Sequence, residues 1–365
     1  PQRGRPEISC SAAGVEESRI VSPEGSSEQA ARPRSMISSK LDWLGHYTDI
    51  IPDAFTIEGV NYQPRSATVS GALILRLLEQ QGQKFIDEEV SCALCASIPG
   101  GASMTVSIQP KERLAVERRN VYATVAAKLA RTVSGKVSIE VDPRLSDDAN
   151  KIVQEVRELA KVLSDCGTDV RDKILFKIPG TWEGILAAKM ITLQEEFSCQ
   201  VTHVYSMAQA TTAAEAGVAV IQPYVGRVND WYKMNPGKVP RELGPANHGV
   251  RLVQKIYNYL RKYDLPTKLM AASIRTVEDA VNLSGIDYMV LSPNLIKTLA
   301  ALPGNFEAPA LSSESARNAN FTPQELRGYV LGDCAEELLK ESIKSASENI
   351  EKVEDFLSNT AIGNM

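Results

Sequence analysis

The strongest constraint on the fold is a repeated alternation between short apolar runs and stretches of helical periodicity, from about residue 40 to residue 293. Several runs are continuously apolar, as parallel strands are when helices cover them. Between two runs, Ile152, Val156, Leu159 and Leu163 recur at steps of four, three and four residues, which places them on one helix face. Eight strand–helix units predict an α/β fold, a (β/α)8 TIM barrel with additional C-terminal helices. The predicted strands are Thr48–Asp53, Ser66–Ser70, Lys136–Asp142, Lys173–Pro179, Cys199–Ser206, Val218–Val225, Thr267–Ser273 and Asp287–Pro293.

An open, doubly wound sheet would also alternate strands with helices. Dinucleotide-binding sheets of that kind carry a G-x-G-x-x-G motif after an early strand, and this sequence has none at such a position. The barrel is therefore the favoured architecture, and the open sheet is the alternative.

The composition divides the chain into two regions. Residues 1–35 are rich in Ser, Pro, Gly, Arg and Glu and have little apolar content, which predicts a disordered N-terminal extension. Residues 36–365 are predicted to form the barrel, with a C-terminal helix that packs on it. This helix carries one apolar stripe at steps of four and three residues, and a dimer seam is the alternative use of such a stripe. The stripe consists of Leu339, Ile343, Ala346, Ile350, Val353 and Leu357.

The net charge of −5 is typical of a soluble protein that handles small molecules, and it argues against nucleic acid as the main partner. No apolar run reaches the roughly 18 residues that span a bilayer, so no membrane partner is expected. The six cysteines are scattered, which favours the reducing cytoplasm, and three histidines argue against a His-rich metal site. Cys92 and Cys95 form a C-x-x-C without a second pair, and we interpret them as packing residues.

A lone lysine, Lys177, interrupts the apolar run Ile174–Pro179, directly before the helix-opening sequence Gly180–Gly184. Burying an ammonium group is unfavourable by several kcal/mol unless the group is paired or loses its proton. A neutral, desolvated lysine is a nucleophile toward carbonyl groups. The position therefore indicates Schiff-base chemistry, and the alternative is a lysine that extends from the strand end into water.

Polar residues also occur near the carboxyl ends of the other predicted strands. In a parallel barrel these ends meet on one rim, where catalytic residues gather. Together they supply an amine that can attack a ketone, two carboxylates that can shuttle protons, a hydroxyl, and two arginines that suit a phosphate group. These residues are Asp53, Glu140, Lys177, Thr202, Gln222, Arg227, Ser273 and Arg275.

Several strings, in chain order, resemble the transaldolase family, and the resemblance runs from about residue 40 to 300. Such a set in the right order is far more specific than a single motif. The family fold is a (β/α)8 barrel, in agreement with the strand count. The matching strings are Ile139–Ser146, Ile174–Ile178, Thr181–Gly184, Ala213–Gly217, Pro223–Arg227, Asp230–Lys233 and Ala272–Arg275.

The resemblance implies a role for each matching residue. Lys177 would form the Schiff base, while Glu140 and Thr202 would manage water and protons during imine formation. Asp53 would be the acid and base for C–C cleavage and formation. The reaction would move a dihydroxyacetone unit from a ketose phosphate, such as sedoheptulose 7-phosphate or fructose 6-phosphate, to an aldose phosphate in the pentose phosphate pathway. No metal or organic cofactor is implied, the expected partners are sugar phosphates, and the state is a monomer or a homodimer. The substrate phosphate would be bound by Arg227, Ser273 and Arg275.

The sequence departs from the family's usual strings at the pocket for the three-carbon donor. Ser70 occupies the place of the usual Asn on the second strand, and Gln200 replaces the Asn of the fifth. On the sixth strand, Gln222 and Tyr224 replace the usual Ser and Phe. His203 follows the threonine of the fifth strand where the family has an apolar residue. A lost hydrogen bond to a substrate hydroxyl weakens binding by roughly 1–3 kcal/mol, which is enough to alter donor preference.

These departures leave three hypotheses open. The first is an ordinary transaldolase that tolerates the changes. The second is a transaldolase-fold enzyme with another donor or reaction, such as an aldolase or a specialised biosynthetic enzyme, and Tyr224 would then supply an additional proton donor near the imine. The third is a non-catalytic barrel that binds sugar phosphates or a protein partner, against which the presence of all four predicted catalytic residues argues.

Overall fold

The computed structural model describes residues 37–56, 59–60, 62–85, 110–239, 246–304, 307–321 and 328–362. The predicted disordered extension, residues 1–35, and the pair Cys92 and Cys95 lie outside the described residues.

Eight parallel strands form one sheet in the order β1-β8-β7-β6-β5-β4-β3-β2, which curls into a nearly closed barrel. Each strand lies within one of the eight apolar runs, so the predicted TIM barrel is confirmed. The predicted bounds are one or two residues too long at most ends. The strands are β1 Asp49–Pro52, β2 Ala67–Val69, β3 Val137–Glu140, β4 Ile174–Pro179, β5 Cys199–Val204, β6 Val220–Pro223, β7 Lys268–Ala271 and β8 Tyr288–Leu291.

Helices follow the strands and cover the outside of the barrel. Short polar side chains begin many of them: the Oγ1 atom of Thr181 accepts a hydrogen bond from the Gly184 N–H at 2.9 Å, directly after β4. The described helices are α1 Lys40–Tyr47, α2 Gly71–Phe85, α3 Pro110–Thr132, α4 Ala149–Asp165, α5 Val170–Lys173, α6 Trp182–Gln194, α7 Met207–Glu215, α8 Val225–Met234, α9 His248–Lys262, α10 Val277–Asn282, α11 Pro293–Ala301, α12 Ser313–Arg317 and α13 Asp333–Ile362.

The barrel interior is built in layers that follow from the alternation of side chains along each strand. Leu175 on β4 and Val220 on β6 belong to a buried apolar cluster inside the barrel. Lys177 and Gln222 lie two positions further along the same two strands, so they face the interior one layer closer to the carboxyl ends. The continuously apolar runs of the sequence arise because every residue of β4 and β6 is buried, either against the helices or inside the barrel.

The long helix α13 packs back on the barrel and contacts α2, α3, α8 and β5. Ile350, Val353 and Leu357 from its apolar stripe lie in the main core, and Leu339 lies in a second cluster with Trp231. Burial of this stripe against the barrel fixes the position of the helix over the carboxyl ends of the strands.

A buried charge network attaches α13 to the loop after β3. The guanidinium of Arg118, 2% exposed, lies 3.1 Å from Asp142, 3.1 Å from Glu155 and 3.2 Å from Glu354 of α13. Arg144 adds a contact of 2.6 Å to Glu354. Burial opposes ionisation of Asp142, but the hydrogen bonds from Arg144 and the charge of Arg118 keep its pKa below the ordinary value.

No helix in the described part of the chain is long and apolar enough to cross a membrane.

Candidate active site

A cavity of about 310 Å³ opens at the carboxyl ends of the strands, between the barrel and α13. Eight of the eleven residues predicted to form the site line it, drawn from strands and loops that are far apart in sequence. Those eight are Asp53, Ser70, Glu140, Lys177, Gln222, Tyr224, Arg227 and Ser273, and the wall also contains Thr68, Ala72, His203, Ala272, Val290, Ser342, Ser345, Ala346 and Asn349.

Lys177 projects into this cavity from β4. Its side chain is only 6% exposed, so it does not extend from a strand end into bulk water. Its Nζ atom lies 3.8 Å from Oε1 of Glu140 and 3.5 Å from Oγ1 of Thr68. Glu140 is the register partner of Lys177 on β3, so the ladder itself places the amine beside the carboxylate. An amine next to a proton-carrying group is the arrangement that imine formation requires.

Glu140 is fixed by the start of α2. Its Oε2 atom accepts a hydrogen bond of 2.7 Å from the backbone N–H of Gly71, the first residue of that helix. A side chain at Gly71 would meet the Tyr122 hydroxyl at 3.1 Å and the Glu140 carboxylate at 3.5 Å, so the close approach suits glycine. One carboxylate oxygen is thus used for positioning, while the other faces Lys177.

Gln200, Gln222 and Tyr224, three of the residues predicted to depart from the family's donor pocket, are linked by hydrogen bonds, in the case of Tyr224 through Thr202. Oε1 of Gln222 accepts from the Thr202 hydroxyl at 2.7 Å and from Nε2 of Gln200 at 2.9 Å. Oε1 of Gln200 accepts from the Ser138 hydroxyl at 2.8 Å, and the Tyr224 hydroxyl lies 3.3 Å from that of Thr202. Gln200 and Thr202 are not part of the cavity wall and contact it through Gln222. Burial raises the pKa of Tyr224, so its hydroxyl is a protonated donor at neutral pH.

The two predicted phosphate-binding arginines have different surroundings. Nη1 of Arg227 donates a hydrogen bond of 2.8 Å to the Ser342 hydroxyl of α13, and its guanidinium lies 5.8 Å from the centre of the Tyr224 ring. Nη1 of Arg275 lies 2.5 Å from the Asp230 carboxylate, and its side chain is 53% exposed. The structure therefore places Arg227 in the cavity wall and Arg275 outside it.

Asp53 and Ser70 complete the predicted set at the ends of the first two strands. Asp53 is exposed, lines the cavity, and has its backbone N–H fixed by a 2.9 Å hydrogen bond to the Leu291 carbonyl. Ser70 also lines the cavity, and its hydroxyl accepts a weak hydrogen bond of 3.4 Å from the Leu73 N–H at the start of α2. The described residues contain no cluster of three or more His, Cys, Asp or Glu side chains that could hold a metal ion.

Several wall residues were missed by the sequence analysis. Thr68 lies two positions before Ser70, and strand periodicity alone would have pointed both into the barrel. Ser342, Ser345 and Asn349 come from α13, beside the apolar stripe that packs on the barrel. No local sequence signal marks them, because their place in the cavity depends on how that helix docks.

Comparisons with known proteins agree with this geometry. The family model described as "Transaldolase/Fructose-6-phosphate aldolase" matches residues 62–357. The chain belongs to this family. It is 33% identical over 326 residues to a protein of Thermosynechococcus vestitus named "Transaldolase", an overlap of 87% of this chain and 80% of the relative. Proteins with the same name from Shewanella sp. and Actinobacillus pleuropneumoniae are 32% and 35% identical, over 88% of this chain and 98% and 99% of theirs.

The family assignment confirms the resemblance found in the sequence. Within this transaldolase-family barrel, three of the residues predicted to depart from the family's usual strings, Gln200, Gln222 and Tyr224, are not scattered over the surface. They form one connected hydrogen-bonded unit with Thr202, two layers of side chains deep, on the β5–β6 side of the cavity. The departures therefore concern the site rather than the scaffold.

Proposed function

We propose that this chain is a transaldolase that transfers a dihydroxyacetone unit from a ketose phosphate to an aldose phosphate through a Schiff base on Lys177. The observation that carries the proposal is the buried pair of Lys177 Nζ and Glu140 Oε1, 3.8 Å apart, in a cavity that also contains Asp53 and Arg227. The proposed donors are sedoheptulose 7-phosphate and fructose 6-phosphate, as expected for the pentose phosphate pathway in the cytoplasm.

In the first step, Lys177 passes one proton to Glu140 and attacks the ketone carbon as the neutral amine, and Glu140 gives that proton to the carbonyl oxygen, which becomes the hydroxyl of a carbinolamine. Glu140 takes the proton released by nitrogen and returns it to that hydroxyl, which leaves as water. At 3.8 Å, Glu140 is too far from Nζ for direct proton transfer, and the carbinolamine oxygen or one water fits between them. Thr202 lies behind the wall and would act on such a water only through Gln222 and Tyr224, with which its hydroxyl is hydrogen-bonded.

In the second step, Asp53 removes the proton from the hydroxyl on the fourth carbon. The bond between the third and fourth carbons breaks, its electron pair moves into the iminium group, and the shorter aldose phosphate leaves. The remaining enamine attacks the carbonyl of the acceptor aldose phosphate, whose oxygen receives the proton from Asp53. Hydrolysis of the new imine by the reverse of the first step releases the product and restores Lys177.

The substrate phosphate is assigned to the Arg227 side of the cavity. Arg227 lines the cavity with its Nη1 atom hydrogen-bonded to the Ser342 hydroxyl of α13, and the other N–H groups of a guanidinium suit phosphate oxygens. Ser273, with a left-handed backbone, lies beside it in the wall. Arg275 would contribute only after exchanging Asp230 for the phosphate.

A second candidate function is plain aldol cleavage, and one observation favours it. The protonated Tyr224 hydroxyl, 3.3 Å from Thr202, could deliver a proton to the enamine through water, which would release free dihydroxyacetone instead of transferring it. A non-catalytic barrel is the remaining alternative, and the Lys177–Glu140 pair speaks against it.

Borohydride trapping tests these functions. The protein is incubated with fructose 6-phosphate or sedoheptulose 7-phosphate and borohydride, and the adduct is located by mass spectrometry. We expect a dihydroxyacetone unit on Lys177 and none in Lys177→Ala, whereas the exposed control Lys189→Ala should trap as the wild type does. An adduct that persists in Lys177→Ala would overturn the assignment. Adding erythrose 4-phosphate to the reaction with fructose 6-phosphate, or glyceraldehyde 3-phosphate to that with sedoheptulose 7-phosphate, then separates transfer from cleavage, because only transfer yields the other ketose phosphate.

A further inference from the structure

Strand β5 carries an irregularity next to the cavity. Val201 pairs with Ile221 and Val204 with Pro223, so three steps along β5 match two along β6. The extra residue is accommodated by His203, which has a φ of 57°, in the left-handed region that few residues other than glycine adopt. A bulge of this kind changes the direction of a side chain, and His203 accordingly lines the cavity together with Lys177.

A buried glutamine fixes this unusual backbone. Nε2 of Gln209 donates to the carbonyls of His203 at 3.0 Å and Gly180 at 2.9 Å, and its Oε1 accepts from the Tyr205 N–H at 2.8 Å. Gln209 is fully buried, so these hydrogen bonds do not compete with bulk water. The hydrogen bonds of Gln209 thus stabilise the bulge. Strained backbone at functional sites usually persists only when its surroundings stabilise it in this way.

The imidazole of His203 is buried without being satisfied. It is 7% exposed, and its Nδ1 atom has no hydrogen-bond partner within the described part of the chain. Its ring packs against the Tyr224 ring with centroids 5.5 Å apart. Buried polar groups in native proteins are nearly always hydrogen-bonded, so an imidazole that lines the cavity while its Nδ1 atom is unpartnered points to a ligand.

The surroundings also determine the charge of this imidazole. Burial first, and then the positive charges of Lys177 and Arg227, lower the pKa of His203 to about 3. The ring is therefore neutral at physiological pH, with one nitrogen that donates and one that accepts. A hydroxyl group matches such a ring because it also donates and accepts, whereas a phosphate group is better served by Arg227.

We propose that His203 is a specificity-determining residue that hydrogen-bonds to a hydroxyl of the sugar phosphate bound in the cavity. The inference rests on the proposed function and names a contact that the family resemblance does not supply, because the family has an apolar residue at this position. His203 would thus select among ketose phosphates by the presence and configuration of one hydroxyl group.

The test compares the wild type with His203→Phe, which keeps an aromatic ring against Tyr224 but cannot hydrogen-bond. Each protein is assayed by borohydride trapping and by kcat/KM with fructose 6-phosphate and with its monodeoxy analogues. We expect the wild type to disfavour one analogue about tenfold relative to the parent sugar, because a buried group then loses its partner. His203→Phe should lower kcat/KM for the parent sugar about tenfold. Its kcat/KM values for that analogue and for the parent sugar should be equal.

His203→Asn is the second variant, since asparagine tolerates the left-handed backbone and keeps the fold should the ring variant not fold. Its shorter side chain should reduce the discrimination at least about threefold. If a folded His203 variant discriminates against every monodeoxy analogue as strongly as the wild type does, the inference is overturned while the proposed function stays intact. Failure of the wild type to form any adduct would instead overturn the proposed function, and the inference with it.

Discussion

Replacement of Glu140 by Gln is the sharpest test of the proposed chemistry. The amide has the shape of the carboxylate, so it can still accept the 2.7 Å hydrogen bond from the Gly71 N–H and keep the start of α2 in place. It cannot carry a proton. The substitution therefore separates the positioning role of Glu140 from its role in proton transfer.

The expected magnitude follows from the distances. At 3.8 Å and an effective dielectric constant of about 20, the attraction between the Lys177 ammonium and the Glu140 carboxylate is about 4 kcal/mol. Attack by the neutral amine on the ketone carbon does not depend on this attraction. The step that should become slower in Glu140→Gln is the departure of water from the carbinolamine, to which general acid catalysis contributes about 10²–10⁴-fold. The activation free energy should rise by about 3–5 kcal/mol.

The assay is the rate of borohydride trapping with fructose 6-phosphate, followed by intact mass over time. Glu140→Gln should reach the same final adduct as the wild type about 10²–10⁴ times more slowly, with an unchanged circular dichroism spectrum. Glu158→Gln on α4, where the carboxylate accepts a hydrogen bond from Gln154 at the surface, controls for the loss of one negative charge and should trap at the wild-type rate. Trapping by Glu140→Gln at the wild-type rate would refute the assignment of Glu140 as the proton carrier.

Three further predictions concern the scaffold and the wall. Arg118→Met leaves the buried carboxylates of Asp142 and Glu155 and the partly buried carboxylate of Glu354 without their shared cation, and it should lower the free energy of unfolding in urea by about 3–5 kcal/mol. The exposed Arg113→Met should cost less than about 1 kcal/mol, and equal losses would contradict the network. Ser342→Ala removes the hydroxyl that holds Arg227 and should raise KM for the phosphorylated donor about threefold to tenfold with kcat within twofold, and an unchanged KM would count against the phosphate assignment. Because the pKa of His203 is about 3 in the folded protein and higher when unfolded, the unfolded state binds the extra proton, and stability should fall by about 1.4 kcal/mol per pH unit on going from pH 6 to pH 4. His203→Asn should remove this contribution to the pH dependence of the free energy of unfolding, measured by urea unfolding between pH 4 and pH 6. The same pH dependence in the variant and the wild type would mean that the imidazole is not buried in its neutral form.

The barrel was predictable because its signals are local. Each strand requires a short apolar run, and each helix requires periodic apolar residues and a polar residue at its start, such as Thr181 before α6. The position of Lys177 inside an apolar strand was equally visible, as was the series of polar residues at the strand ends. Alternation along the strands then points these side chains into the barrel, whatever the helices outside do.

The surroundings of each side chain were not predictable in the same way. Arg227 and Arg275 come from matching strings and were expected to act together, yet one contacts α13 while the other is paired with Asp230. Gln200 was expected to contact substrate and instead lies beneath the wall, hydrogen-bonded to Ser138. Such outcomes depend on which residues lie next to a side chain in the folded protein, and these neighbours can be far away in the sequence.

The sequence by itself determined the eight-stranded barrel, the family, and the amine and carboxylates on its rim, because periodicity and short strings of neighbours carry that information. Only the tertiary structure decided that α13 closes the site with Ser342, and that a bulge in β5 turns His203 into the cavity. Both depend on packing between segments distant along the chain. In particular, Gln209 stabilises the bulge by donating hydrogen bonds to the carbonyls of His203 and Gly180, and no local pattern of the sequence indicates that these segments meet.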